Sequence, residues 1–314
     1  MKKLVTFILV LCLVLGMGTV ALAEGYEDWE TVTIKKIINV NEGAKNPAET
    51  FEFTIEEEEG APAFPDSTFT IDVAEGKTSG ETIISLPSKE AFGNIGVYNY
   101  EIKEKPVNTA GMTYDTTPKK LTITVVRDDE GNLVRVVTVT GEDEQGNPVK
   151  VDAFRNSFYA GSLTIEKKLA GNYRDYNDEF EITVTLDPEG KVLDKDIIQA
   201  EGATDITQSE ETGVVTIKYE FNGEKSFTIA NIPYGVEYKV EETNKGDYEV
   251  SYTGDTSGTI NSDNSAPEII ITNTRDIDID AGVLLDNAPY IAILAVAIGG
   301  LALFLIRRRM AVNL

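Results

Sequence analysis

The chain has 314 residues, with 28 Lys and Arg against 53 Asp and Glu, a formal net charge of −25, no histidine and one cysteine. So acidic a surface excludes nucleic acid as a partner, because phosphate binding needs a basic face. Without histidine the chain lacks the usual general base and the commonest zinc ligand, so neither a metal site nor a cofactor is expected.

The N-terminus reads as an export signal. Lys2 and Lys3 form a charged start, Leu4 to Val20 is apolar, and Ala21-Leu22-Ala23 is a small-x-small cleavage site, which predicts a signal peptide over 1–23. Bulky Leu11 before Cys12 argues against lipoprotein processing, so the one cysteine leaves with the signal. Removal of Lys2 and Lys3 takes the charge from −25 to −27. An exported chain that cannot form a disulfide must gain its robustness by another route.

From Thr31 the pattern is that of strands, with β-branched and aromatic residues alternating with polar ones. Thr31–Ile37, Thr50–Ile55, Val97–Glu104 and Lys120–Val126 are clear examples, and Asp128-Asp-Glu-Gly-Asn132 turns the last of these into a hairpin with Leu133–Thr140. Helical periodicity is absent before the tail. Short, regularly spaced strands predict antiparallel β-sandwiches.

The series then repeats. Leu163-Thr-Ile-Glu-Lys-Lys-Leu169 echoes Val32-Thr-Ile-Lys-Lys-Ile-Ile38, Glu179–Val184 echoes Thr50–Ile55, and Gly235–Glu242 echoes Gly96–Glu104. Each copy closes on an apolar strand ending in Asn, Val151–Asn156 and Glu268–Asn273. The reading is all-β, with one domain over 27–157 and a second over 160–274. The short connection Ser157-Phe-Tyr-Ala160 limits bending between them.

Three residues in each copy break the apolar pattern. Residues i and i+2 share a strand face. Lys36 is two past Ile34, Glu104 two past Ile102, and Asn156 two past Phe154; Lys167, Glu242 and Asn273 follow Ile165, Val240 and Ile271 by the same step. If the apolar partners face the core, a Lys, a Glu and an Asn face it too, and buried charges need a reason to be there. Burial lowers the pKa of an amine and raises that of a carboxyl, so a neutral Lys and a protonated Glu can coexist there. The neutral amine is a nucleophile, the Asn amide an electrophile once an acid polarises its oxygen, and Glu can shuttle the protons. The product is an amide cross-link between the first and last strands of each domain, with loss of ammonia. Closing a loop of that length should restrict the unfolded chain much as a disulfide does.

After the second domain come an acidic linker over 276–287, an apolar run over 288–306 that predicts a transmembrane helix, and a basic tail over 307–314 opening with Arg307-Arg308-Arg309. The linker lacks the Gly and spaced Glu of a calcium loop.

With these features together, the chain resembles the major (backbone) pilins of Gram-positive sortase-assembled pili, in particular the two-domain streptococcal T-antigen type. The resemblance rests on the repeated Thr-Ile-x-Lys-Lys strands, Tyr98-x-Tyr-x-Ile-x-Glu104, Met112-Thr-Tyr-Asp-Thr-Thr117, the closing Asn strands and Gly282-Val-Leu-Leu-Asp-Asn-Ala-Pro-Tyr290. It implies Ig-like, CnaB-type sandwiches with self-formed isopeptide bonds, Lys36 to Asn156 with Glu104, and Lys167 to Asn273 with Glu242. It also implies a sortase that cuts between Ala281 and Gly282 in Asp278-Ile-Asp-Ala-Gly282 and passes the new carboxyl to a lysine of the next subunit. The family usually has Pro and Thr where this chain has Asp280 and Ala281. Lys150 takes the position of the acceptor lysine, with Lys119 and Lys120 the poorer alternatives.

The implied function is a cell-surface shaft subunit, in a wall-anchored pilus built from identical pilin subunits, with minor pilins and a host ligand as further partners. The membrane is a partner only through the C-terminal helix before sorting. A monomeric anchored adhesin or minor pilin is the alternative, and a ladder of covalent multimers would separate the two. The mature chain keeps no cysteine for a thioester tether. No residue set for chemistry on other molecules is present, so the chain is expected not to be an enzyme beyond forming its own bonds.

Overall fold

A computed structural model describes residues 27–142, 147–151, 153–278 and 282–312. The expected signal peptide lies outside the described residues, as do Asp280 and Ala281 of the expected sorting sequence.

Alternation of apolar and polar residues forms the strands. In β1 (Thr31–Val40), Val32, Ile34, Lys36 and Ile38 turn inward while Thr31, Thr33 and Lys35 face solvent. β1 lies between β4 (Ser79–Ser85), antiparallel, and β10 (Phe154–Phe158), parallel; β6 (Met112–Thr113) flanks β10. Against this sheet stands one of six strands in the order β3 (Thr68–Val73), β2 (Glu49–Glu57), β5 (Gly96–Lys105), β7 (Lys119–Arg127), β8 (Leu133–Glu142) and β9 (Pro148–Lys150). Phe53 and Phe154 interlock between the sheets, ring centroids 4.8 Å apart, and burial of each such ring contributes about 1.5–3 kcal/mol.

The second sandwich repeats the plan. β11 (Ala160–Ala170) runs parallel to β20 (Glu268–Thr274), in the order β13 (Gln199–Ala200), β16 (Ser226–Pro233), β11, β20, β18 (Glu249–Thr253). The facing sheet is β14 (Asp205–Gln208), β15 (Val215–Asn222), β12 (Glu179–Asp187), β17 (Glu237–Asn244) and β19 (Ser257–Thr259). In both sandwiches the first strand pairs with the last and sits opposite the strand that carries the buried Glu. The fold is two tandem Ig-like β-sandwiches.

The two sandwiches are tied together by more than their short connection. The Asn41 side chain donates to Ala160 O at 2.8 Å and accepts from Ala160 N at 2.9 Å. Asn231 Oδ1 accepts from Lys45 N at 2.8 Å, and its Nδ2 donates to Lys45 O at 2.9 Å and to Ile197 O at 3.0 Å. Asn231 is the unpaired residue of a β-bulge where β16 slips against Gly161 and Ser162, which places it at φ 59°. Tyr159 stacks on Tyr234 at 5.8 Å.

One helix, α1 (Gly282–Val312), follows. The sequence predicts a linker as far as 287, a span over 288–306 and a tail; instead one continuous helix begins at Gly282 and runs past Arg307-Arg308-Arg309. Val283-Leu-Leu and the Leu- and Ala-rich stretch after Pro289 favour helix strongly enough to carry it through that proline. Among the described residues no helix is long and apolar enough to cross a membrane. Side chains of α1 are described from Pro289 to Leu305 and at Arg307, so the expected span over 288–306 reaches beyond them at both ends. Those described side chains are all exposed, Ile291, Val296 and Leu303 among them.

Candidate functional site

Lys36 points into the first sandwich between Ile34 and Ile38 with none of its surface exposed. Asn156, inward on β10 between Phe154 and Phe158, is equally buried. Glu104 comes from β5 in the facing sheet, on the inward face with Tyr100 and Ile102. In the parallel ladder Asn156 stands opposite Ile38, one inward step beyond Lys36. Lys36 Nζ donates to Glu104 Oε2 at 2.6 Å, and Asn156 Nδ2 donates to Glu104 Oε1 at 2.7 Å. One carboxylate therefore bridges an amine and an amide nitrogen. The Asp115 backbone N–H donates to Asn156 Oδ1 at 2.7 Å, and the Phe51 ring lies 4.9 Å from Lys36 Nζ.

The second sandwich repeats the register. Asn273 stands opposite Leu169, two residues past Lys167. Lys167 Nζ lies 3.0 Å from Glu242 Oε1, with neither side chain exposed. Asn273 Nδ2 donates to the same Oε1 at 2.8 Å, and the Phe180 ring lies 4.4 Å from Lys167 Nζ. This site is less completely bonded. Although 3.0 Å from Glu242, Lys167 Nζ is not aligned as a hydrogen-bond donor, and among the described residues Asn273 Oδ1 and Glu242 Oε2 have no hydrogen-bond partner.

Desolvation acts on both amines. Burial pulls Lys36 and Lys167 below the ordinary lysine value, and the nearby carboxyls of Glu104 and Glu242 oppose that shift without cancelling it. Each site thus joins an amine of lowered basicity, an amide and a carboxyl between them, a set suited to acyl transfer from the amide to the amine. Sequence reasoning expected the acid on the amide oxygen. The structure puts Glu104 and Glu242 on the nitrogen side instead, and in the first site the oxygen is taken by Asp115 N–H.

One neighbour escaped sequence reasoning. Glu49, at the start of β2, accepts from the Tyr114 hydroxyl at 2.7 Å, and burial raises its carboxyl above the usual range. Tyr114 stood in a motif, but nothing local marks Glu49 as buried.

Lys150 lies exposed on the edge strand β9, opposite Thr140. It borders a groove of about 190 Å³ shared with Trp29, Lys35 and Lys119. Lys119 is 8% exposed and held 3.0 Å from Asp115, while Lys120 pairs at the surface with Glu58 at 3.2 Å. Gly282 is the first residue of α1, and Ala281 lies outside the described residues. Among the described residues no group of three His, Cys, Asp or Glu could hold a metal ion.

Residues 32–159 match the family model of the Spy0128-like isopeptide containing domain, FctA, and residues 161–275 match a domain of unknown function, DUF7601. A curated pilin of Streptococcus pyogenes serotype M1 is 28% identical over 243 residues, covering 71% of each chain. The major pilin of S. pyogenes superposes with a TM-score of 0.51 at 21% identity, over 79% of this chain and 99% of that one. Another major pilin of that species gives 0.50 at 23% identity, over 81% and 100%. The first sandwich thus matches a Spy0128-like isopeptide containing domain, and the fold is that of the streptococcal major pilins. Both matched domains of the chain hold a Lys, Glu and Asn set between the first strand, the last strand and the facing sheet.

Proposed function

We propose that this chain is a pilin, a structural shaft subunit of a cell-surface pilus, joined head to tail by a sortase and stiffened by one internal Lys–Asn isopeptide bond per domain. The observation that carries the reading is the duplicated register. Two sandwiches of different sequence place Lys two residues before the ladder partner of Asn, with a buried Glu between them.

In each domain the neutral Lys amine attacks the Asn side-chain carbonyl carbon. The Nζ–Cγ bond forms and the Cγ–Nδ2 bond breaks. Glu104 or Glu242 takes a proton from the attacking nitrogen and returns one to Nδ2, which leaves as ammonia. Phe51 and Phe180 keep water out, so the amine remains deprotonated and the carboxyl stays in contact with both nitrogens.

The bonds would fasten the first strand of each sandwich to the last, so tension along a fibre runs through a covalent path. Polymerisation takes the Ala281–Gly282 bond as donor and Lys150 as acceptor. Intact-mass measurement of the recombinant ectodomain tests the core of the reading: a deficit of two ammonia masses is expected, and the full sequence mass would overturn it. A covalent ladder on cells, lost in Lys150→Ala, tests the assembly step.

A further inference from the structure

We infer that Asp115 is a positioning residue for the first bond, its backbone N–H forming a one-donor oxyanion site that the second domain lacks, so that the Lys36–Asn156 bond forms before the Lys167–Asn273 bond. The inference rests on the isopeptide reading above.

When Nζ adds to Cγ of Asn156, negative charge gathers on Oδ1, and a donor already aimed there stabilises the tetrahedral state. Asp115 N–H lies 2.7 Å from that oxygen. It also fixes the amide orientation, since only the oxygen can accept from an N–H. Nδ2, the leaving nitrogen, is thereby turned to Glu104.

The Asp115 side chain holds its own backbone in place. Its carboxylate accepts from Lys119 Nζ at 3.0 Å, from Thr117 N at 3.1 Å and from Arg155 N at 3.3 Å, which ties the loop to β7 and β10.

The second domain cannot copy this, for a reason visible in its pairing. β6 is two residues long and pairs with β10 only at Ser157 and Phe158, stopping short of Asn156 and freeing the next amides for side chains. β18 instead pairs with β20 through Asn273 itself, Val250 standing opposite it, and its backbone is taken up in the ladder. Asn273 Oδ1 is left buried without a partner among the described residues. The cost of an unsatisfied carbonyl there rises as charge develops on it.

Cell-free synthesis of the full chain, stopped at intervals and digested for peptide mass spectrometry, follows both cross-linked peptides in one molecule. In the wild type the Lys36–Asn156 peptide should appear at least tenfold faster than the Lys167–Asn273 peptide. Asp115→Ala should slow only the first, and Asp115→Asn, which can still accept from Thr117 and Arg155, should restore most of its rate. Equal rates in the wild type, or an unchanged first rate in Asp115→Ala, would overturn the inference. The second bond reports in each sample that the second sandwich has folded, and recovery in Asp115→Asn separates loss of positioning from a first sandwich that fails to fold. Absence of both cross-links from the wild type would instead refute the isopeptide reading itself.

Discussion

Lys36 and Glu104 reach across the first sandwich from opposite sheets and meet at 2.6 Å with neither side chain exposed. A buried ion pair of this kind is a poor route to stability, because desolvation cancels much of its attraction. Its placement beside Asn156 is what the proposed cross-link needs instead. In the proposed reaction Lys36 and Glu104 are the starting partners, the amine is consumed and an uncharged amide is left.

Removing the carboxyl should therefore stop one reaction and spare the other. Glu104→Ala should regain one ammonia mass in the ectodomain, with Lys36 and Asn156 in linear peptides and the second cross-link intact. Glu242→Ala should show the reverse. Glu104→Gln should behave as Glu104→Ala, since a carboxamide cannot carry the proton. A Lys36–Asn156 cross-linked peptide in Glu104→Ala would contradict the assigned role.

The cross-link should also be measurable as stability. Each proposed bond would close a loop of more than a hundred residues, and by analogy with a disulfide over such a loop its loss should cost about 4–5 kcal/mol. Asn156→Ala and Asn273→Ala should each lower the guanidinium midpoint of their own domain, and each should admit trypsin to that domain first. If both variants unfold and digest as the wild type does, the bonds contribute nothing to robustness.

The sandwiches and both triads were legible in the sequence for one reason: a strand has period two. Lys36, Glu104 and Asn156 each follow a core residue by two, and each lies on the buried face of its strand. Other parts depend on where strands end rather than on their pattern. Asp115 becomes a donor to Asn156 because β6 stops early, and Asn231 faces Lys45 because β16 bulges; neither event leaves a periodic trace. The helix start at Gly282 was missed because Asp286-Asn-Ala-Pro289 reads locally as a break.

The lowered pKa of the two lysines sets a pH dependence for the chain before it reacts. In the bond-free double variant Asn156→Ala/Asn273→Ala, the unfolded lysines titrate at 10.5 and the folded ones lower. Between those values the unfolded state binds more protons, so stability rises with pH, up to about the unfolded value. Lys36→Met in that background should flatten part of the slope in denaturant midpoints taken across alkaline pH. An equal or steeper rise without Lys36 would show that its amine is not desolvated in the folded state.

The junction between the sandwiches supplies the last expectation. Asn231 accepts from Lys45 N and donates to Lys45 O and Ile197 O, all from a backbone at φ 59°. Asn231→Ala loses those bonds, leaving backbone groups at the junction unmatched at about 1–3 kcal/mol, and keeps the Cβ that Asn already holds in the left-handed region, a strain of about 1–2 kcal/mol. Asn231→Gly loses the same bonds without that strain, so the difference between the two variants isolates the backbone cost. Small-angle scattering should show a broader spread of domain angles in both, because the hydrogen bonds rather than the φ angle tie the second sandwich to Lys45. Unchanged scattering in Asn231→Gly would mean that Asn41 with Ala160 and the Tyr159–Tyr234 stack hold the joint alone.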